Sequence, residues 1–182
     1  MTDADAPTDD ELLAKAQQGD AWAFGVWIER QYEFIYRLSY KLLRHQMDAE
    51  DLTQDVCIKL ADRINSYSGQ GSSRGWLARV VLNAGHDRLR HKKRRTTSNI
   101  DDVAEPSAVE SADGKTYLNE VMTAMRRLPE KSQHALLLAA EGLSHAEMAE
   151  VLDCAAGTVG WRISTARDEL AKLLTGGKHA SA

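Results

Sequence analysis

The segment from Leu143 to Val159 limits what this chain can fold into more than any other. It reads as two short helices around a tight turn, the layout of a helix-turn-helix. Ser144 is placed to cap the first helix and Glu147, three residues on, to return the bond, which makes a capping box. Ala149 is small where two helices must cross closely, and Met148, Leu152, Val159 and Ile163 supply the apolar contacts between them. Asp153 falls in the turn, and Asp is among the few residues other than Gly that tolerate a positive φ there. Such a unit serves mainly to lay its second helix in the major groove of DNA.

A formal net charge of −4 argues against a nucleic-acid partner only until its distribution is examined. From Arg74 to Arg95 there are eight basic residues against Asp87 alone, whereas from Asp101 to Glu120 six acids face Lys115. A phosphate backbone responds to the local field, so the segregation outweighs the total. With 182 residues, 43% hydrophobic and only 6% aromatic, the chain suits small helical cores rather than a large aromatic pocket. No apolar run approaches the roughly 18 residues of a membrane span, and the acidic start is not a signal peptide. Cys57 and Cys154 are isolated thiols that form neither a CxxC nor a disulfide framework, which fits a cytoplasmic location.

The expected organisation is all-α, two small helical domains joined by a flexible acidic linker. Residues 1–8 read as disordered, 9–95 as the first domain, 96–115 as the linker, 116–174 as the second domain and 175–182 as a frayed tail. In the first domain a short helix runs from Asp9 to about Gly19. Asp20 caps a long one with Phe24, Ile28, Ile35, Leu38 and Leu42 on one face. Asp48 opens a third helix with Leu52, Val56, Leu60 and Ile64 inward. A polar, Gly-rich loop over Ser66–Ser72 leads into a fourth helix from about Ser73, through Trp76, Leu77, Val80, Val81 and Leu89 to the basic run. Pro129 starts the second helix of the second domain, and no stretch alternates with the period of a strand.

Taken together, the two halves resemble an extracytoplasmic-function sigma factor of bacterial RNA polymerase. The resemblance covers residues 9–174 and rests on parts in the family's order: Gln18-Gly19-Asp20-Ala21, the Asp48–Val56 stretch, Trp76-Leu77-Ala78-Arg79 leading to Asn83, Asp87 and Arg88, Leu128-Pro129-Glu130, and Gly142-Leu143-Ser144 before the helix-turn-helix. It implies a factor that binds core polymerase and directs promoter-specific initiation. The first domain would read the −10 element and the second the −35 element.

The resemblance also implies site residues. Asp48, Asp51, Gln54 and Asp55 would dock on the clamp helices of the largest polymerase subunit. The three carboxylates recur at i, i+3 and i+7 and so form one stripe, at a cost of roughly 0.2–0.5 kcal/mol per like-charge pair. Ser68, Gln70 and Ser72 of the loop would capture an unstacked base of the −10 element, Asn83 would reach a base edge, and Arg74, Arg79, Arg88 and Arg90 would track phosphates. Ser73 stands where the family usually has a bulky apolar residue, which leaves the seating of the loop open. Trp76 reads as core rather than as a stacking platform, and the Lys92–Arg95 cluster as a DNA contact.

Thr158, Trp161, Arg162, Thr165 and Arg167 would meet the −35 duplex, with the flap of the second-largest subunit as the second domain's polymerase contact. Relatives commonly carry more basic residues on this helix. Ala155 also replaces a capping Ser at a cost of about 1 kcal/mol, and Gly160 costs a similar amount within the helix. Trp161 could meet a thymine methyl or pack on a protein. The resemblance further implies an anti-sigma protein as antagonist, and a linker that threads past the polymerase active-site cleft.

Other chemistry finds little support. His86 and His91 lie at the wrong offset for two ligands on one helical face, and Gly69-Gln70-Gly71 lacks the spacing and Lys of a phosphate-binding loop. No cofactor, metal or enzymatic activity is expected. A stand-alone helix-turn-helix regulator and a sigma-like protein that binds polymerase without initiating are the competing readings. The regulator would leave the acidic stripe and the Gly-rich loop unexplained.

Overall fold

The computed structural model describes residues 6–98 and 114–178, and the chain divides into two compact units at residues 101 and 102. Among the described residues all regular structure is helical. The first unit holds α1 (Asp9–Gln17), α2 (Ala21–Leu43), α3 (Gln46–Arg63), a 3-10 turn over Ile64–Ser66, and α4 (Ser73–Ser98). The second holds α5 (Gly114–Met125), α6 (Glu130–Ala140), α7 (His145–Leu152) and α8 (Ala156–Lys178).

Local chemistry sets the helix boundaries. Thr8 caps α1 through a capping box with Glu11, and Arg30 donates to the Pro7 carbonyl at 2.7 Å. Residues 7 and 8 are therefore tied down, against the expectation of disorder through residue 8; residues 1–5 lie outside the described residues. Asp20 caps α2 as expected, its carboxylate accepting from the Ala23 N–H. The third helix starts earlier than the sequence suggested. His45 Nδ1 accepts from the Asp48 N–H at 3.3 Å, so His45 is the cap and Asp48 lies inside the first turn. The segment 96–115 is helical at both ends, α4 continuing through Ser98 and α5 starting at Gly114; residues 99–113 lie outside the described residues. The tail is not frayed through 178, where Thr175 donates to the Ala171 and Lys172 carbonyls.

The first unit is organised by α2, which packs against α1, α3 and α4. Its buried face is Ala23, Trp27, Phe34, Ile35, Leu38, Leu42 and Leu43. Trp27 therefore takes the central position expected for Phe24 and Ile28, both of which are half-buried. Leu52, Val56, Leu60 and Ile64 close the core from the α3 side and Leu77, Val80, Val81 and Leu82 from α4. Burying each such side chain contributes roughly 1.5–3 kcal/mol. In the second unit, Met148, Leu152, Val159 and Ile163 form the expected contact between the two helices of the helix-turn-helix. Ser144 and Glu147 complete the capping box, and Asp153 sits at φ 50° in the left-handed region.

Gly85 marks a close helix crossing in the first unit. A Cβ there would lie 2.2 Å from Leu42 Cδ2 and 3.3 Å from Leu52 Cδ2. Gly85→Ala should therefore cost stability despite gaining about 1 kcal/mol of helix propensity, because overpacking a core costs about 1–3 kcal/mol. In a Leu42→Ala background the same change should become neutral or stabilising. Urea denaturation of the four proteins in this cycle measures the coupling, and additive effects would show that the contact does not decide.

Candidate polymerase and promoter interfaces

The residues expected to dock on polymerase lie on the outer face of α3. Asp51, Gln54 and Asp55 are exposed and Asp48 is half-buried. Met47 and Ile58 flank them, each more than two-thirds exposed, so the face combines charge with apolar area. Its carboxylates are not isolated. Arg88 of α4 places Nη2 2.8 Å from Asp51 and 3.6 Å from Asp48, and Nη1 3.5 Å from Asp55. Lys92, one turn further, donates to Asp48 at 3.1 Å. A guanidinium among three carboxylates relieves the like-charge repulsion inherent in their spacing, although each exposed pair is worth only about 0.2–1 kcal/mol. Sequence spacing alone carried no signal for this contact between helices.

The basic residues of α4 thus divide. Arg79, Asn83 and Arg90 recur at i, i+4 and i+11 on one exposed face, where Arg90 pairs with Asp87. Arg88 lies on the side toward α3. Arg74 sits 4.7 Å above the Phe34 ring at the start of the helix, a cation–π contact.

Between the 3-10 turn and α4, Ser68 and Gln70 are exposed, with Gly69 at φ 73° and Gly71 at φ 77°. A Cβ at Gly69 would meet nothing within 4 Å, so that glycine serves backbone conformation rather than space. Ser72 is half-buried and its hydroxyl accepts from the Gly75 N–H, as a helix cap would. Beneath the loop, the Tyr67 ring lies 5.5 Å from Trp76, which lies 6.3 Å from Trp27. This aromatic row seats the loop although position 73 is Ser, and it makes Trp76 part of the packing.

On α8, Trp161 is 66% exposed, with Thr158 and Thr165 on the same face at i−3 and i+4. Arg162 is half-buried, with Nη1 3.7 Å from Cys154 Sγ in the turn. Arg167 lies on another side of α8, along a shallow groove of about 390 Å³ lined also by His145, Met148, Gly160, Ser164 and Asp168. The five residues expected at the −35 element are therefore brought to one helix but not to one face.

Two family models match this chain, Sigma-70 region 2 over residues 27–95 and Sigma-70 region 4 over residues 118–170. The ECF RNA polymerase sigma factor SigM of Mycobacterium tuberculosis is 35% identical over 168 residues, covering 92% of this chain and 85% of that protein. This chain belongs to the extracytoplasmic-function sigma factors. It directs promoter-specific initiation by RNA polymerase. The ECF sigma-E factor of Haemophilus influenzae is 31% identical, covering 91% of this chain and 94% of its own.

Two solved structures share the fold of this sigma factor. CnrH in complex with the cytosolic domain of CnrY matches with a TM-score of 0.71 at 24% identity, covering 92% of this chain and 97% of that one. The sigma factor RpoE in complex with the anti-sigma factor NepR from Bartonella quintana matches with a TM-score of 0.67 at 25% identity, covering 84% and 96%.

In this sigma factor the clasp between α3 and α4 carries a pH signature. Partial burial pushes the Asp48 carboxyl up, but the hydrogen bond from Lys92 and the charges of Lys92 and Arg88 outweigh it and hold the group below its ordinary 3.8. A lowered folded value means stability that is fully present above the ordinary value and lost as the pH falls through the folded one. The stability gap between the wild type and Asp48→Asn should therefore be flat above about pH 5 and shrink below about pH 4. Urea midpoints across this range check it, and a gap unchanged at low pH would remove Asp48 from the clasp.

Proposed function

We propose that this sigma factor docks on the clamp helices of the largest polymerase subunit through Asp48, Asp51, Gln54 and Asp55. The carrying observation is the outer face of α3, where an acidic stripe is framed by exposed Met47 and Ile58. Interfaces of this kind combine charge that steers encounter with apolar area that slows dissociation. Arg88 is engaged with the same carboxylates, so it belongs with this face rather than with the phosphate contacts.

In the same reading Ser68 and Gln70 capture an unstacked −10 base, Asn83 meets a base edge, and Arg74, Arg79 and Arg90 follow phosphates. Ser72 contributes as the cap of α4. Thr158, Trp161 and Thr165 form the −35 contact, with Arg162 at its border, Arg167 on another side of α8, and the flap of the second-largest subunit holding this unit in place. An exposed Trp beside two Thr offers apolar contact to thymine methyls. Arg162 and Arg167 are the only basic residues between Leu152 and Leu170, so binding here depends on the effective concentration that polymerase supplies. The match to a sigma factor solved with NepR supports an anti-sigma protein as antagonist. Among the described residues no helix is long and apolar enough to cross a membrane.

Asp55→Lys should weaken holoenzyme formation at least tenfold in a titration with core polymerase. Its stability should fall by no more than about 1 kcal/mol, the upper end for losing the exposed pair with Arg88. Wild-type core affinity in this well-folded variant would sink the docking assignment.

Positioning and reading should also separate within the first unit. Arg79→Ala or Arg90→Ala should lower promoter affinity about equally for all sequences and flatten the salt dependence by about one per lost phosphate. Gln70→Ala or Asn83→Ala should change base preference within the −10 element. Superimposable sequence profiles for the four variants would show the roles to be wrongly assigned.

A further inference from the structure

The Gly-rich loop is closed at both ends by side chains outside the promoter-contacting set. Gln17 is the last residue of α1, some fifty positions earlier in the chain. Its amide nitrogen donates to the Ile64 carbonyl at 3.0 Å and to the Tyr67 carbonyl at 2.6 Å, which uses both of its donors. These two carbonyls bracket the 3-10 turn that launches the loop. Tyr67 carries the closure onward. Its ring is buried against Trp76, and its hydroxyl donates to the Gly71 carbonyl at 3.2 Å. Within the loop, Ser68 Oγ accepts from the Gln70 N–H at 3.3 Å.

We propose that Gln17 and Tyr67 are positioning residues for −10 base capture: together they hold the backbone of residues 67–71 in the conformation that presents Ser68 and Gln70 to an extruded base. The inference rests on the reading that this loop captures a base. It adds α1 to the promoter-reading machinery, although α1 lies outside the 27–95 span that matches Sigma-70 region 2. The physical case is preorganisation. A five-residue loop containing two glycines has many conformations to lose, and each loop residue ordered before DNA arrives is one that binding need not order. Holding it also separates two functions. The aromatic row under the loop supplies folding energy, while the two polar clasps govern only the path of the backbone above it.

Tyr67→Phe makes that separation testable, since it keeps the ring and removes only the hydroxyl. Holoenzymes carrying wild-type protein, Tyr67→Phe, Gln17→Leu or Gln70→Ala are titrated with a fork-junction DNA. Its −10 non-template strand is single-stranded and carries each of the four bases in turn at the captured position. Tyr67→Phe and Gln17→Leu should each lower the ratio of preferred to disfavoured base affinity by about threefold or more, the scale of one net hydrogen bond. Melting and core affinity of Tyr67→Phe should stay at wild-type values. A wild-type ratio in Tyr67→Phe and Gln17→Leu, with an altered one in Gln70→Ala, overturns the positioning role and leaves base capture standing. A uniform loss on all four bases with the ratio preserved would mean a merely structural role and overturns it too. A wild-type ratio in Gln70→Ala as well refutes base capture by this loop and the inference with it.

Discussion

The first unit depends on one act of burial, the packing of Trp27 beneath Trp76 and Tyr67. Trp27 is almost completely enclosed, and the row it begins runs from the second turn of α2 through the first turn of α4 to the edge of the Gly-rich loop. Since α2 also receives α1 and α3, the packing around it leaves only the opposite faces of its neighbours outside. The acidic stripe of α3, the basic face of α4 and the loop between them are all what is left over once that core is closed. Function here is carried by surfaces whose directions the core dictates.

The two units handle charge differently. In the first, opposite charges are concentrated on adjacent helices and partly cancel across their boundary, where Arg88 and Lys92 meet the α3 carboxylates. The basic face that remains is assembled from Arg79, Arg90 and their neighbours. In the second, the recognition helix has little basic character and offers an exposed aromatic ring between two threonines. A strongly charged module and a weakly charged one on a single chain suit a protein whose contacts are made together with a larger assembly, since the weak module need not find DNA unaided.

Much of this was legible in the sequence, for identifiable reasons. The capping box of Ser144 and Glu147, the cap at Asp20 and the left-handed Asp153 depend on residues within four positions of one another, so spacing determines them. The helix-turn-helix core was legible because four apolar residues at helical intervals leave few alternatives. The central role of Trp27 was less clear, because Phe24 and Ile28 fit the same period and only packing selects between faces one residue apart. Arg88 on the acidic stripe, Gln17 on the loop and the crossing at Gly85 could not be read at all. Each joins residues about thirty to fifty positions apart, through the angle between helices that local periodicity does not contain. The −35 set was found as a helix but not resolved into faces, since Arg167 turns to the groove beside His145.

The reach of α1 bears on how such a protein can be cut into pieces. A fragment beginning at residue 27 would keep every position that matches Sigma-70 region 2, along with the whole of α3, the loop and α4. It would lack the amide that grips the Ile64 and Tyr67 carbonyls, and Leu12, Leu13 and Ala16, which cover the same side of the core. The smallest piece that carries the recognisable sequence is therefore not the smallest piece that carries the shaped surface, and dissection of this unit should start before Thr8.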